Sequence, residues 1–272
     1  MVAVCGRLGM SRQNYYARRR VRQRRQVDGD LLAALVRRER KEQPRLGTRK
    51  LYRRLAGELQ EAGVKLGRDR MFEELRARQL LVPKKRAAWP RTTQAYPVLP
   101  WFKNRIKGLE VRRPNHVWVS DLTYVRSRQG YLFLSLITDR MSRKIVGYHV
   151  SESLEAGGCL EALEMALAGL PAEARPIHHS DRGCQYGSHD YVRKLQDRGL
   201  EISMTEEDHC AENALAERMN GILKQEYGLG EELANQDQVR RAVAQAVWLY
   251  NNKRPHTALG YDYPARVHGL VA

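Results

Sequence analysis

The sequence predicts an α/β core built on a mixed sheet, preceded by an all-helical, strongly basic region that resembles a helix-turn-helix in layout. Three observations lead there. After Pro114 three runs rich in β-branched and aromatic residues follow one another at hairpin spacing, and helical and strand-like segments alternate beyond them. Before Pro83 the apolar residues instead repeat at helical spacing. The net charge of +17 is also divided unevenly. Residues 1–113 hold 31 Lys and Arg against 10 Asp and Glu, whereas the remainder holds 17 against 21. A basic half suited to phosphates is thus joined to a half that gathers carboxylates.

Composition removes several classes. At 272 residues with 42% hydrophobic and 29% charged residues, the chain suits a soluble globular protein with one sizeable core and a smaller one. No apolar run approaches the roughly 20 residues of a membrane helix, and "MVAVCGRLGM" lacks a secretory apolar stretch, so a cytoplasmic protein without a membrane partner is expected. Cys5, Cys159, Cys184 and Cys210 show no CxxC spacing and are expected as thiols. No histidine precedes His116, which excludes a His/Cys zinc site in the basic half.

In order along the chain, "VAVCGRLGMSRQNYYARRR" reads as a short helix, a turn at Gly9 and a second helix capped by Ser11. In a helix-turn-helix the second helix would present Arg12, Gln13 and Asn14 to base edges. An ordinary helical hairpin has the same pattern. Leu31, Leu32, Leu35 and Val36 continue helical spacing through an Arg-rich stretch. "TRKLYRRLAGELQEAG" starts a further helix at Thr48, with Leu51, Leu55 and Leu59 every four residues and Arg49 and Lys50 at its start. A turn at "VKLG" leads to "RDRMFEELRARQLL". This pair reads either as another DNA-reading unit or as the packing partner of the first. Residues 1–82 form the helical region, and residues 83–113, with three further prolines after Pro83, form a basic, extended linker.

Residues 114–272 form the core. "HVWVSDLTYV", "YLFLSLITD" and "KIVGYHVSE" are its first strands, joined by "RSRQG" and "RMSR". A helix over "LEAGGCLEALEMALAGL", the strand "ARPIHHSD", a helix over 188–199, the strand "EISMT" and a long helix from about 211 follow. Asp121 is expected late in the first strand and Asp181 at the end of the fourth. If those strands are neighbours, two carboxylates lie side by side and call for a cation. On the last helix, Asn213, Glu217, Asn220 and Lys224 share one face, with Leu215, Met219, Ile222 and Leu223 opposite to pack on the sheet. Taken singly, each carboxylate is equally readable as a cap or a solvated charge.

Together, "VWVSDLTYV", "HHSDRGCQY", "ENALAERMNGILKQE" and "YNNKRPHTALGYDYPARVH" resemble the DDE transposase and retroviral integrase superfamily, and within it the second-frame product of the IS-three family of bacterial insertion sequences. The 35 residues between Asp181 and Glu217 match that superfamily's spacing. "LGMSRQNYYARR" and "QPRLGTRKL" are similar to the family's helical DNA-binding region. The resemblance spans nearly the whole chain and implies a ribonuclease-H-like core that cuts and joins DNA at the ends of the element. It implies Asp121, Asp181 and Glu217 as catalytic ligands of two Mg²⁺ ions, with Mn²⁺ as a substitute. It implies Lys224 on a phosphate near the scissile bond. Asn213 is a candidate for orienting Glu217 or touching DNA, and His179 for touching DNA or supporting the ligands. His178, on the other face of its strand, reads as a core residue. Arg12, Gln13, Asn14, Arg49 and Lys50 are the DNA contacts of the helical region.

The implied partners are double-stranded DNA (terminal inverted repeats and target), further copies of the chain assembled on it, and an upstream-frame product fused or bound to it. Cys184 departs from the serine common at that place. The alternative reading is a DNA-binding regulator derived from a transposase and catalytically silent.

Overall fold

A computed structural model describes residues 9–83, 101–206 and 212–270. The chain divides into two compact units, Met1–Lys85 and Arg86–Ala272.

In the first unit, α1 (Arg12–Glu42) is one continuous helix of 31 residues. Gly9, at φ 59°, makes the preceding turn. The Ser11 hydroxyl accepts the Asn14 N–H at 3.1 Å, the N-cap the sequence predicts. The short helix expected before Gly9 lies outside the described residues. The helix expected from Thr48 is divided at Leu55 into α2 (Thr48–Arg54) and α3 (Ala56–Glu61), and α4 (Arg68–Ala77) follows. Leu32, Val36, Leu46, Leu51, Leu55, Leu59, Met71 and Leu75 close the core of this unit. Only the second half of α1 takes part. From Arg12 to Val27 all but Tyr15 are exposed, and the first buried residue is Gly29.

The second unit carries a five-stranded mixed sheet. β1 (Val117–Ser127), β2 (Gly130–Asp139) and β3 (Ile145–Ser151) form an antiparallel meander. β4 (Ile177–Ser180) and β5 (Glu201–Met204) add on parallel, giving the order β3-β2-β1-β4-β5. Period-two alternation sends Leu132, Leu134 and Leu136 of β2 to one face and Ile137 to the other. The first face is covered by α7 (Ala214–Glu226) and α8 (Gln236–Lys253), through Met219, Leu223, Val243 and Tyr250. The second face is covered by α5 (Ala156–Ala168) and α6 (His189–Asp197), through Leu163, Tyr191 and Leu195. A short α9 (Pro264–Gly269) ends the described chain. No helix of the described residues is long and apolar enough to cross a membrane.

Residues 101–113 are extended, as expected of a linker, but they are anchored on the core. Ile106 is buried against Val117, Val119 and Ala216. The Asn104 N–H donates to Glu206 Oε1 at 3.0 Å and the Arg105 N–H to Ser203 Oγ at 2.9 Å. Leu109 and Val111 pack beside it, and Phe102 packs on the second-face core.

Candidate active site

β1 and β4 are parallel neighbours, with Val117 opposite Ile177, Trp118 opposite His178 and Val119 opposite His179. Two residues further in that register, Asp121 comes beside Asp181. β4 ends at Ser180, whereas β1 continues to Ser127 along β2. Asp121 is therefore the fifth residue of an eleven-residue strand rather than a late one, and it stands where β1 loses its parallel partner. The end of β4, more than the end of β1, opens the site.

The Asp121 carboxyl is pushed up to about 7. Burial is the largest cause, and the charges of Asp181 and Glu217 act in the same direction. Two hydrogen bonds pull the other way: Asn220 Nδ2 donates to Asp121 Oδ2 at 2.7 Å and the Leu122 N–H to Oδ1 at 3.0 Å. Asp121 is thus the carboxylate on which the charges of the other two converge. Glu217 is the exposed member, in the first turn of α7.

Asp181 Oδ1 accepts the Gly183 N–H at 3.0 Å. A Cβ on Gly183 would lie 3.0 Å from that oxygen and 3.1 Å from Gln185 Oε1, so any other residue there would push the two oxygens aside by a few tenths of an ångström. If Asp181 acts in DNA cleavage, Gly183→Ala is expected to lower it about 10–100-fold, the scale of losing a supporting contact, while circular dichroism reports an intact fold. Wild-type cleavage by that variant would show that Asp181 can be displaced without consequence.

The polar face of α7 lies along β1. Asn213 Nδ2 donates to the Ser120 carbonyl at 3.0 Å, Asn220 to Asp121, and Lys224 Nζ to Thr123 Oγ1 at 2.6 Å. The Lys224 ammonium also sits 4.3 Å from the centroid of the Tyr124 ring. Burial lowers the Lys224 pKa, and the Asp121 charge opposes that. The expected packing of α7 through its apolar face alone is incomplete, because Asn213, Asn220 and Lys224 are buried too. Asn220 is the supporting residue to which sequence reasoning assigns no role. Its signal is its position three residues after Glu217, on the same face.

The two histidines are core residues. His179 is fully buried, with Nδ1 2.9 Å from Ser203 Oγ, and burial pushes its pKa down to about 4. It offers DNA no surface and no charge at neutral pH. His178, on the opposite face, has Nε2 2.7 Å from Ser120 Oγ and 2.9 Å from Tyr191 Oη, and is pushed down to about 3. In the helical unit, Arg12, Gln13 and Asn14 are exposed in the first turn of α1, Arg49 is exposed on α2 and Lys50 is half-buried beside it.

Oxygen donors of this kind suit a hard divalent cation, and mutual repulsion at Asp121 is what such an ion would relieve. Among the described residues, no group of three His, Cys, Asp or Glu side chains is drawn together closely enough to hold an ion. Asp121 senses the other two carboxylates, and the three do not form a finished ligand cluster.

The chain matches the integrase core domain over residues 111–210 and again over 198–264. The described sheet is also similar to that in the CryoEM structure of the simian T-cell lymphotropic virus intasome in complex with PP2A regulatory subunit B56 gamma. The TM-score is 0.50 at 20% identity, over 64% of this chain and 60% of that one, a likeness of fold. Fold and sequence thus define an integrase-like polynucleotidyl transferase. Over 268 residues the chain is 34% identical to the insertion element IS600 uncharacterized 31 kDa protein of Shigella sonnei, covering 96% of each. It is 30% identical to transposase InsF for insertion sequence IS3A of Escherichia coli (strain K12), covering 95% of this chain and 90% of that protein. The chain belongs to the IS3 family of transposases.

Proposed function

We infer that the chain cuts the ends of its insertion element and joins the freed DNA strands, with Asp121, Asp181 and Glu217 as the residues that hold two divalent cations. The observation that carries this is that the charges of Asp181, at the end of β4, and Glu217, on α7, both act on the buried Asp121 of β1, in a member of a transposase family. When bound, Mg²⁺, or Mn²⁺ in its place, would activate the attacking hydroxyl and stabilise charge on the scissile phosphate. The chain's own residues prepare that site. Asn220 fixes the direction of the Asp121 carboxylate, and the Gly183 N–H fixes that of Asp181. Lys224, buried and held by Thr123, would set a positive charge near Asp121 for a phosphate beside the scissile bond. Water would attack the phosphodiester at the element end, breaking its P–O3′ bond and freeing the 3′-hydroxyl; that hydroxyl would then attack a second phosphodiester, forming the new P–O bond as the attacked strand's own 3′-oxygen leaves. The product for this family is one end joined to the other on one strand, a circular intermediate, and insertion at a target.

Residues 1–82 would grip the terminal repeats and 114–272 would carry the chemistry. Two ends held at once require at least two protomers on the DNA, and an upstream-frame product would extend the grip. A silent regulator would need a broken site, and none of the three carboxylates is replaced here. The deciding experiment is a strand-joining assay on the element's own ends, with and without Mg²⁺. Joined product only with metal is expected. Tight binding of the ends with neither cleavage nor joining would establish the regulator instead.

A further inference from the structure

Trp101 and Arg182 stack on one another, Arg182 being the residue that follows Asp181, and no role above uses either. The Arg182 guanidinium lies over the Trp101 indole, 4.0 Å from the ring centroid, and its Nε donates to the Thr205 carbonyl at 2.7 Å. Two anchors therefore fix the plane of the guanidinium. Trp101 is 58% exposed, so the stack sits at the surface. Arg182 directly follows Asp181, and adjacent Cα atoms are about 3.8 Å apart.

What the guanidinium does not do is equally informative. Arg126, Arg240 and Arg254 each pair with a carboxylate. Among the described residues Arg182 pairs with none, although Asp181 is its neighbour in the chain, and its two Nη groups carry no hydrogen bond there. A planar fork braced on an aromatic ring, with its outer edge free, has the shape that takes a phosphate through two parallel N–H donors. A cation serving only to balance the aspartates would turn toward them.

We propose that Arg182, braced by Trp101, grips a backbone phosphate of the DNA strand beside the scissile bond. This rests on the reading of the carboxylate site as a DNA-joining centre. Such a contact fixes register and carries no base preference. Arg182 is then a binding residue and Trp101 a positioning residue acting through it. The competing reading is a staple that merely ties residue 101 to the loop after β5.

The test uses the full chain and a fluorescent duplex cut from the element's own end, in anisotropy titrations across a salt series. Arg182→Gln is expected to weaken binding and to reduce the slope of log affinity against log salt by about 0.9, the value of one phosphate contact. Arg182→Lys should keep the slope, because charge is kept, yet join strands more slowly for want of the planar fork. Trp101→Ala should slow joining with the slope retained, and Trp101→Phe should restore it. An unchanged slope in Arg182→Gln overturns the proposal and leaves a staple. Should Arg182→Gln fail to fold, Trp101→Ala decides: slowed joining at an unchanged thermal midpoint supports the clamp, and wild-type joining overturns it. Either failure leaves the carboxylate site standing, whereas full activity of an Asp181 variant would remove the site and not merely the clamp.

Discussion

Asp181→Asn is expected to abolish strand cleavage and joining, to leave binding of the element's ends intact, and to raise the thermal midpoint of the metal-free protein. The amide keeps the volume of the carboxylate and can still accept the Gly183 N–H, so that contact of the turn after β4 is kept. What disappears is the charge that helps push the Asp121 carboxyl up to about 7. Removing a like charge from a buried neighbourhood relieves the native state, and about 1 kcal/mol of relief shifts the midpoint by roughly 2–4 °C in a domain of this size. The same change deprives a cation of a ligand, so Mg²⁺ should raise the midpoint of the wild type and not of the variant. Activity should fall by more than the about 10–100-fold typical of losing a merely supporting group. Stability and activity then move in opposite directions, which a folding defect cannot produce. Glu217→Gln should match the loss of activity with little change in midpoint, since Glu217 is exposed. An Asp181→Asn protein that joins strands in Mg²⁺ at wild-type rates would refute the ligand assignment.

The parts of this site differ in how far the sequence discloses them. The alternation in "YLFLSLITD" and the hairpin-length turns are local signals, and they set the meander correctly. That β1 and β4 are neighbours is non-local and enters a sequence reading only as a condition; the parallel register places Asp121 by Asp181. The helical wheel of α7 groups Asn213, Glu217, Asn220 and Lys224, but an angle on a wheel does not say which face meets the sheet. Hydrophobicity points to Met219 and Leu223, and those residues do pack there. Polar burial along β1 is hidden because it depends on partners about a hundred residues away, Ser120, Asp121 and Thr123. For His179, adjacency to Asp181 suggests access to DNA; strand alternation instead turns it into the core on the side of Ser203. Adjacency in sequence gives proximity of backbone, not direction of side chain.

The helical unit carries the other large expected effect. Between Arg12 and Val27, α1 holds seven arginines and no acidic residue, and all its side chains but Tyr15 stand in solvent. Arg18 and Arg22, and Arg20 and Arg24, are like charges one turn apart, each pair costing a helix about 0.2–0.5 kcal/mol. With no packed face to hold this half, the free helix is weakened by its own charge, and a polyanion would reverse the sign. Replacing Arg18, Arg19, Arg20, Arg22, Arg24 and Arg25 by Gln should therefore raise helicity in the absence of DNA, most visibly at low salt. It should also weaken binding. Each phosphate that is no longer neutralised takes about 0.9 from the salt slope, so the slope should fall by several units and affinity at low salt by orders of magnitude. Circular dichroism at 222 nm and anisotropy on an element-end duplex read the two effects separately. Wild-type protein should gain helix when DNA is added, and the Gln protein should not, because it has no repulsion left to relieve. If the Gln protein binds with the wild-type slope, the arginines of α1 do not touch phosphate. Their charge would then act against another surface, and the grip on the ends would have to come from α2 to α4, beginning with Arg49.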